Sequence, residues 1–401
     1  MERIKELINV VWKKPELHDM TSTREVKWIE LFYDLVFVVL ISHLAHALIE
    51  NPSLDGVLRY TFLFLTVWFT WISSVHYFEL TKVKGLSIAA FTFFKMLSVG
   101  AMTVSVHHAF GESSSRFAVG YIVHHGLTTY MFLRLLLHNF NHPKAKAGLP
   151  VPILFYGSST VLFAISLLYY GELRLHLWGL ALFIDFIMPL ALAYKVGDKA
   201  AERPKLKMVE RFGLMVIIVL GEGITGIING LAEHGHLSKR LMLVGLIEFM
   251  IVFGLWFIYF KTVEEKELKA GVWWRQLWTY LHFVLFTSTV ALGASMLYLI
   301  EYYEQVSRAK IFLASFGLTL LVLGGLEFCY EEDGVKNWDS ILIRTAKILG
   351  GLIPLLLGLI NIKVAPMVML VSFVVIIALI VYLMLQRLAK KRLEVKSDAA
   401  E

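Results

Sequence analysis

From residue 29 to residue 387 the chain repeats one pattern about twelve times: a run of roughly twenty apolar residues, enough to cross a hydrocarbon core about 30 Å thick, then a short connection. Spans are expected near 29–49, 57–79, 86–108, 117–137, 152–170, 174–194, 209–230, 241–261, 276–300, 310–330, 341–360 and 364–387. Charged residues make up 17% of the chain, against roughly 25% in soluble domains. Mean hydropathy is +0.67. The pattern therefore predicts an all-α polytopic membrane protein whose partner is the lipid bilayer, with loops too short to hold a soluble domain. The first 28 residues are polar and basic, with no apolar stretch followed by a small-residue cleavage site, so no removable signal peptide is expected. A single cysteine, Cys329, excludes a disulfide framework and multi-cysteine metal sites.

The first apolar helix is Trp28-Ile-Glu30-Leu-Phe-Tyr-Asp34-Leu-Val-Phe-Val-Val-Leu-Ile-Ser-His43-Leu-Ala-His46. Glu210-Arg-Phe-Gly-Leu-Met-Val-Ile-Ile-Val-Leu-Gly-Glu222 aligns with it without a gap, repeating Glu30 as Glu210, Phe32 as Phe212, Val36 as Val216, Val39 as Val219 and Leu40 as Leu220. Tyr77-Phe78 recurs weakly as Tyr259-Phe260. The expected architecture is two tandem six-helix repeats. Because six is even, they share one orientation, as in parallel-repeat transporters.

The two Glu-initiated stretches, together with Leu177-Trp-Gly-Leu-Ala, resemble the bacterial low-temperature-requirement A family over most of the chain. Members of that family often end the second helix with Asn, Arg and Asp. Here His76-Tyr-Phe-Glu79-Leu-Thr-Lys82 stands in that place. The resemblance implies a polytopic membrane protein linked by name to growth in the cold, and it implies no substrate or reaction.

Lys and Arg concentrate before the first span and in alternate connections, notably Lys82, Lys84, Lys144, Lys146, Lys195 to Lys207, Lys266, Lys269 and Arg275, and then after Arg387. The positive-inside rule predicts that these, and both termini, are cytoplasmic, in a bacterial cytoplasmic membrane. Topology thus accounts for the net charge of +6, and no nucleic-acid partner is expected. The chain divides into an N-terminal segment 1–28, a repeat 29–194, a basic linker 195–208, a repeat 209–387 and a tail 388–401.

Ionisable groups in hydrocarbon cost about 2.5–3.5 kcal/mol on insertion scales, so each marks a candidate site. Glu30 and Glu210 begin helices, where a carboxylate also suits the helix N-terminus, an anchoring role or pairing with Arg or Lys. Asp34 lies one turn further in on the face of Glu30. Glu222 stands about 18 Å beyond Glu210 at roughly 1.5 Å per residue. Around it, Gly221, Gly223, Gly226 and Gly230 permit close helix approach. Asp185 precedes Pro189 by one turn, so freed carbonyls beside an acid suit a cation, with a plain kink as the alternative. Glu248 lies far from either end of its span, and Lys95, His282 and Glu327 are further candidates for internal ion pairs.

His43, His46, His107, His108, His124 and His125 are expected at similar depth in the outer half, where imidazoles relay protons, sense pH, ligate a transition metal or simply hydrogen-bond. No other cofactor is expected. Gly-Lys-Ser/Thr, Gly-x-Ser-x-Gly and His-Glu-x-x-His patterns are missing from the sequence. The leading expectation is a proton- or cation-coupled secondary transporter or channel-like permease for a small ion or molecule, with a homo-oligomer left open. The alternatives are an intramembrane enzyme acting on a lipid or quinone-like substrate, ranked below transport, and a membrane stress sensor.

Overall fold

A computed structural model describes residues 12–18, 26–82, 85–196, 206–233, 238–301, 306–331, 338–360 and 365–398. Twelve long helices are found among these residues: α1 (Trp28–Glu50), α2 (Leu54–Leu80), α3 (Leu86–Ser105), α4 (Ser114–His138), α5 (Pro150–Ser166), α6 (Glu172–Val196), α7 (Leu206–Glu233), α8 (Lys239–Glu265), α9 (Val272–Glu301), α10 (Val306–Leu326), α11 (Trp338–Leu359) and α12 (Pro366–Asp398). Hydrocarbon offers no partner to a bare N–H or C=O, so runs of this composition become helices that close their own hydrogen bonds. Of the expected linker, residues 197–205 lie outside the described residues, as do 1–11 and 19–25 of the N-terminal segment and 399–401 of the tail.

Eleven helices are long and apolar enough to cross a membrane. The twelfth, α4, has the length but is more polar, and its packing explains why. Tyr121, His124, His125 and Thr128 are buried, while Val119, Val123, Tyr130 and Leu133 are exposed. The same inversion marks α1, where Glu30 and Asp34 are buried and Trp28, Phe32, Leu35 and Val39 form an exposed stripe. Apolar stripes facing outward over polar interiors suit lipid as the surrounding solvent.

The chain divides into two compact units. The first comprises Met1–Ala47, Leu58–Phe212 and Ala270–Gln276, and the second Leu48–Val57, Gly213–Lys269 and Leu277–Glu401. In the first unit α4 packs against α3 and α5, and α5 against α6. Gly120 is a point of close approach: a Cβ there would stand 2.6 Å from Met102. Residues 12–18 dock on helix ends. Leu17 bridges Thr81, the Arg134 guanidinium donates to the Lys13 carbonyl at 2.7 Å, and the Asn139 amide donates to that of Pro15 at 3.0 Å.

In the second unit α10 packs along α11. Gly317 and Gly351 sit against each other's backbone, since a Cβ on either would stand 2.5 Å from the other's carbonyl oxygen. Gly324 and Gly358, seven residues on from each, extend this contact toward Ile348 and Lys310. Small residues let two backbones meet where lipid gives no hydrophobic drive for association.

Candidate functional site

Residues four apart on α1 share a face, so Glu30 and Asp34 enter the interior together. Arg211, from the start of α7, meets them. Its Nη2 donates to Asp34 Oδ1, its Nε donates to Oδ2 at 3.2 Å, and its Nη1 lies 3.8 Å from Glu30 Oε2. The Trp71 indole N–H donates to Asp34 Oδ1 at 2.9 Å. Two-point contact between the planar guanidinium and the carboxylate fixes both groups as a point charge would not. All four side chains are buried. Glu210, the sequence counterpart of Glu30, is exposed; its neighbour Arg211 turns inward instead.

Beside this ion pair lies a second polar group. The Tyr33 hydroxyl is 2.7 Å from both Ser74 Oγ and His124 Nε2. Lys95, fully buried on α3, places its Nζ over the rings of Tyr33 at 5.6 Å and Phe78 at 6.0 Å. His125 stacks on Tyr121 with centroids 3.9 Å apart, and its Nε2 is 3.6 Å from Asp185 Oδ2. That oxygen accepts from Tyr121 Oη and, at 2.9 Å, from Ser159 Oγ. Pro189 has no N–H to give the Asp185 carbonyl one turn back, so the backbone as well as the side chain of this residue is rich in acceptors.

Several atoms of this group have no hydrogen-bond partner among the described residues: Lys95 Nζ, His124 Nδ1, both ring nitrogens of His125 and Asp185 Oδ1. Buried polar atoms are nearly always satisfied, so this concentration is unusual. It lies near the middle of its helix: Asp185 has thirteen residues of α6 before it and eleven after it.

The six histidines do not gather. His124 and His125 belong to the buried group, whereas His43 Nδ1 contacts His107 Nε2 at 3.1 Å elsewhere, and His46, His107 and His108 are exposed. Among the described residues no three His, Cys, Asp or Glu side chains are placed to hold a metal ion, so the metal alternative for the histidines has no ligand set.

In the second unit Glu222 is buried where α7 and α9 nearly touch; a Cβ on Gly293 would stand 2.7 Å from Gly223 Cα. Glu248 is fully buried, and neither carboxylate oxygen has a hydrogen-bond partner among the described residues. Val252 packs on Gly223 and Gly245 on Leu231, so Glu248, one turn from each, faces α7 between them. Glu327 is an ion-pair residue. It accepts from Lys347, and from Lys266 at 3.1 Å, while Lys347 also donates to Thr262 at 2.9 Å. His282 is a hydrogen-bonded core residue: its Nδ1 lies 2.8 Å from the Trp278 carbonyl and its Nε2 3.0 Å from the Tyr259 hydroxyl.

Sequence reasoning named the acids and histidines but missed Arg211, Lys347, Tyr33, Tyr121, Ser74 and Ser159. A lone lysine within the apolar run of α11 was a usable signal for Lys347. Tyr33 and Tyr121 carry none, because a buried tyrosine looks like any other aromatic residue in a membrane helix.

The chain is 24% identical over 338 residues to an uncharacterized protein of Rhizobium meliloti (strain 1021), an alignment covering 78% of each. The family model described as bacterial low temperature requirement A protein (LtrA) matches residues 25–386, which is most of the chain and includes every element of the buried polar groups. The chain belongs to the bacterial low temperature requirement A family.

Proposed function

We propose that the chain is a proton- or cation-coupled secondary transporter or channel-like permease, and that Asp185, His125, His124 and Tyr33 carry the coupling ion through the first unit. The observation behind this reading is the concentration, on Lys95, His124, His125 and Asp185, of buried polar atoms with no hydrogen-bond partner among the described residues. Leaving a buried donor or acceptor unpaired costs roughly 1–3 kcal/mol. Buried groups without a protein partner turn to water or to an exchangeable proton or cation. Unused capacity suits groups that gain and lose a proton or a cation during a cycle.

The distances support short transfers. Tyr33 to His124 is a direct contact, and the 3.6 Å from His125 to Asp185 closes with a small side-chain movement. Asp34 and Arg211 hold the α1 end of this route in place. Glu222 and Glu248 are the matching acids of the second unit, and His43 with His107 stands in the opposite half of α1, where protons would exchange with the other side. The architecture that goes with this reading is two six-helix repeats of one orientation, with cytoplasmic termini, in a bacterial cytoplasmic membrane.

The test is ion and proton flux in proteoliposomes of the full chain, screened over monovalent and divalent cations under a pH gradient. Flux is expected in the unmodified protein and is expected to vanish in Asp185→Asn, with Glu222→Gln run beside it. Absence of flux for every ion screened, or undiminished flux in both variants, would sink the proposal.

A further inference from the structure

At one end of the first unit is a cavity of about 910 Å³ that the proposed ion route does not use. It is built where helices stop and start: Leu80 ends α2, Lys195 lies in the last turn of α6, Val272 begins α9, and residues 139–149 connect α4 to α5. Its wall carries Lys82, Lys144, Lys195 and Arg275 together with two imidazoles, His18 and His142. Among the described residues Glu16 is the one acid on the wall, and it is paired with Lys82 at 3.0 Å. With Lys82 and Glu16 offsetting each other, Lys144 and Lys195 give the wall its excess of positive charge. The start of the long helix α9 adds the partial positive charge of its unsatisfied N–H groups to the side that carries Arg275.

The rest of the wall is apolar and includes Leu80, Leu149, Pro152 and Leu192. A small hydrated anion has no use for that surface, whereas an amphiphile with an anionic head uses both parts. The volume lies within the ordinary range for ligand pockets, roughly 300–1,000 Å³. Helix ends in a bilayer protein mark the boundary between hydrocarbon and water, which is the depth of a lipid headgroup.

We propose that this cavity binds the phosphate-bearing headgroup of an anionic phospholipid, with Lys144 and Lys195 on the phosphate and the apolar wall against the glycerol and upper acyl chains. Basic pockets between membrane helices take such headgroups by the same attraction that draws polybasic segments to anionic leaflets. The site is independent of the ion route, so either proposal can fail alone.

The experiment delipidates the full chain in neutral detergent and titrates phosphatidylglycerol or phosphatidylcholine, reading bound lipid by native mass spectrometry. Inorganic phosphate and glycerol phosphate serve as soluble competitors. Phosphatidylglycerol is expected to bind selectively. In Lys144→Gln/Lys195→Gln its affinity is expected to fall roughly 25-fold, from about fivefold per charge at about 1 kcal/mol each. Lys239→Gln/Arg240→Gln, which removes two charges outside this cavity, is expected to change nothing. Because Lys144 and Lys195 are exposed, unchanged thermal unfolding checks that the double variant is folded. Equal binding of the two lipids, or full affinity in the double variant, would overturn the site. Displacement by inorganic phosphate as effectively as by lipid would overturn the lipid assignment in favour of a soluble phosphate compound.

Discussion

Glu30, Arg211 and Asp34 place one base between two acids, whereas Lys266, Glu327 and Lys347 place one acid between two bases. The middle residue of each set therefore compensates two neighbours, which orders the cost of substitution. Arg211→Gln removes the guanidinium that two buried carboxylates share, a loss of the kind that costs about 3–5 kcal/mol in buried pairs. Asp34→Asn leaves Arg211 with Glu30 and keeps an oxygen for the Trp71 N–H, so it is expected to cost less. By the same argument Glu327→Gln is expected to destabilise more than Lys347→Met. Thermal and denaturant unfolding of the four purified variants checks both rankings, and a reversed order in either set would show that the middle residue is not the shared partner. The acids were legible in the sequence because a charge inside an apolar run stands out. Arg211 was not, since a base beside Glu210 at a helix start reads as an interfacial residue until folding turns it inward.

At the scale of elements, helix positions were legible because a span of about twenty apolar residues has little choice of structure. The expected 117–137 became Ser114–His138, although this helix is too polar to qualify by composition. Its polar residues are hidden against α3 and α5, a fact of packing that no window average contains. Glycine contacts were only half legible. The expectation of close approach around Glu222 holds at Gly223, which meets Gly293, but not at Gly221, where a Cβ would meet nothing within 4 Å. The α10–α11 seam went unread because Gly317 and Gly351 lie in separate helices, and nothing in either run says which partner it meets. Gly351→Val is accordingly expected to lower stability by at least the roughly 1–3 kcal/mol typical of overpacking, since its new atoms meet backbone that cannot turn away. Gly221→Ala is expected to be neutral or mildly stabilising through helix propensity. Melting temperatures of the two variants in one detergent test the contrast, and equal effects would mean the seam tolerates side chains.

For the molecule as a whole, the bilayer as solvent followed from composition, and the exposed stripes of α1 and α4 give it structural form. The assignment of sides rests on charge bias and on parity, and the two can be tested separately. Cys329 is the only cysteine and is buried, so Cys329→Ser is a background in which one added thiol reports its own location. Lys144 follows α4 and Lys390 lies beyond the apolar part of α12, with eight spans between them, so parity places both on one side. Asn51 and Glu112 follow α1 and α3 and belong on the other. All four positions are exposed. In intact cells, a maleimide that cannot cross the membrane is expected to label Asn51→Cys and Glu112→Cys, and to reach Lys144→Cys and Lys390→Cys only after permeabilisation. Labelling of the second pair and protection of the first would keep the count of twelve and reverse the orientation, which would make the positive-inside reading wrong for this chain. Labelling of Lys144→Cys but not Lys390→Cys, or the reverse, would mean an odd number of crossings between them. That outcome would remove one helix from the membrane and with it the two equal halves on which the repeat architecture depends.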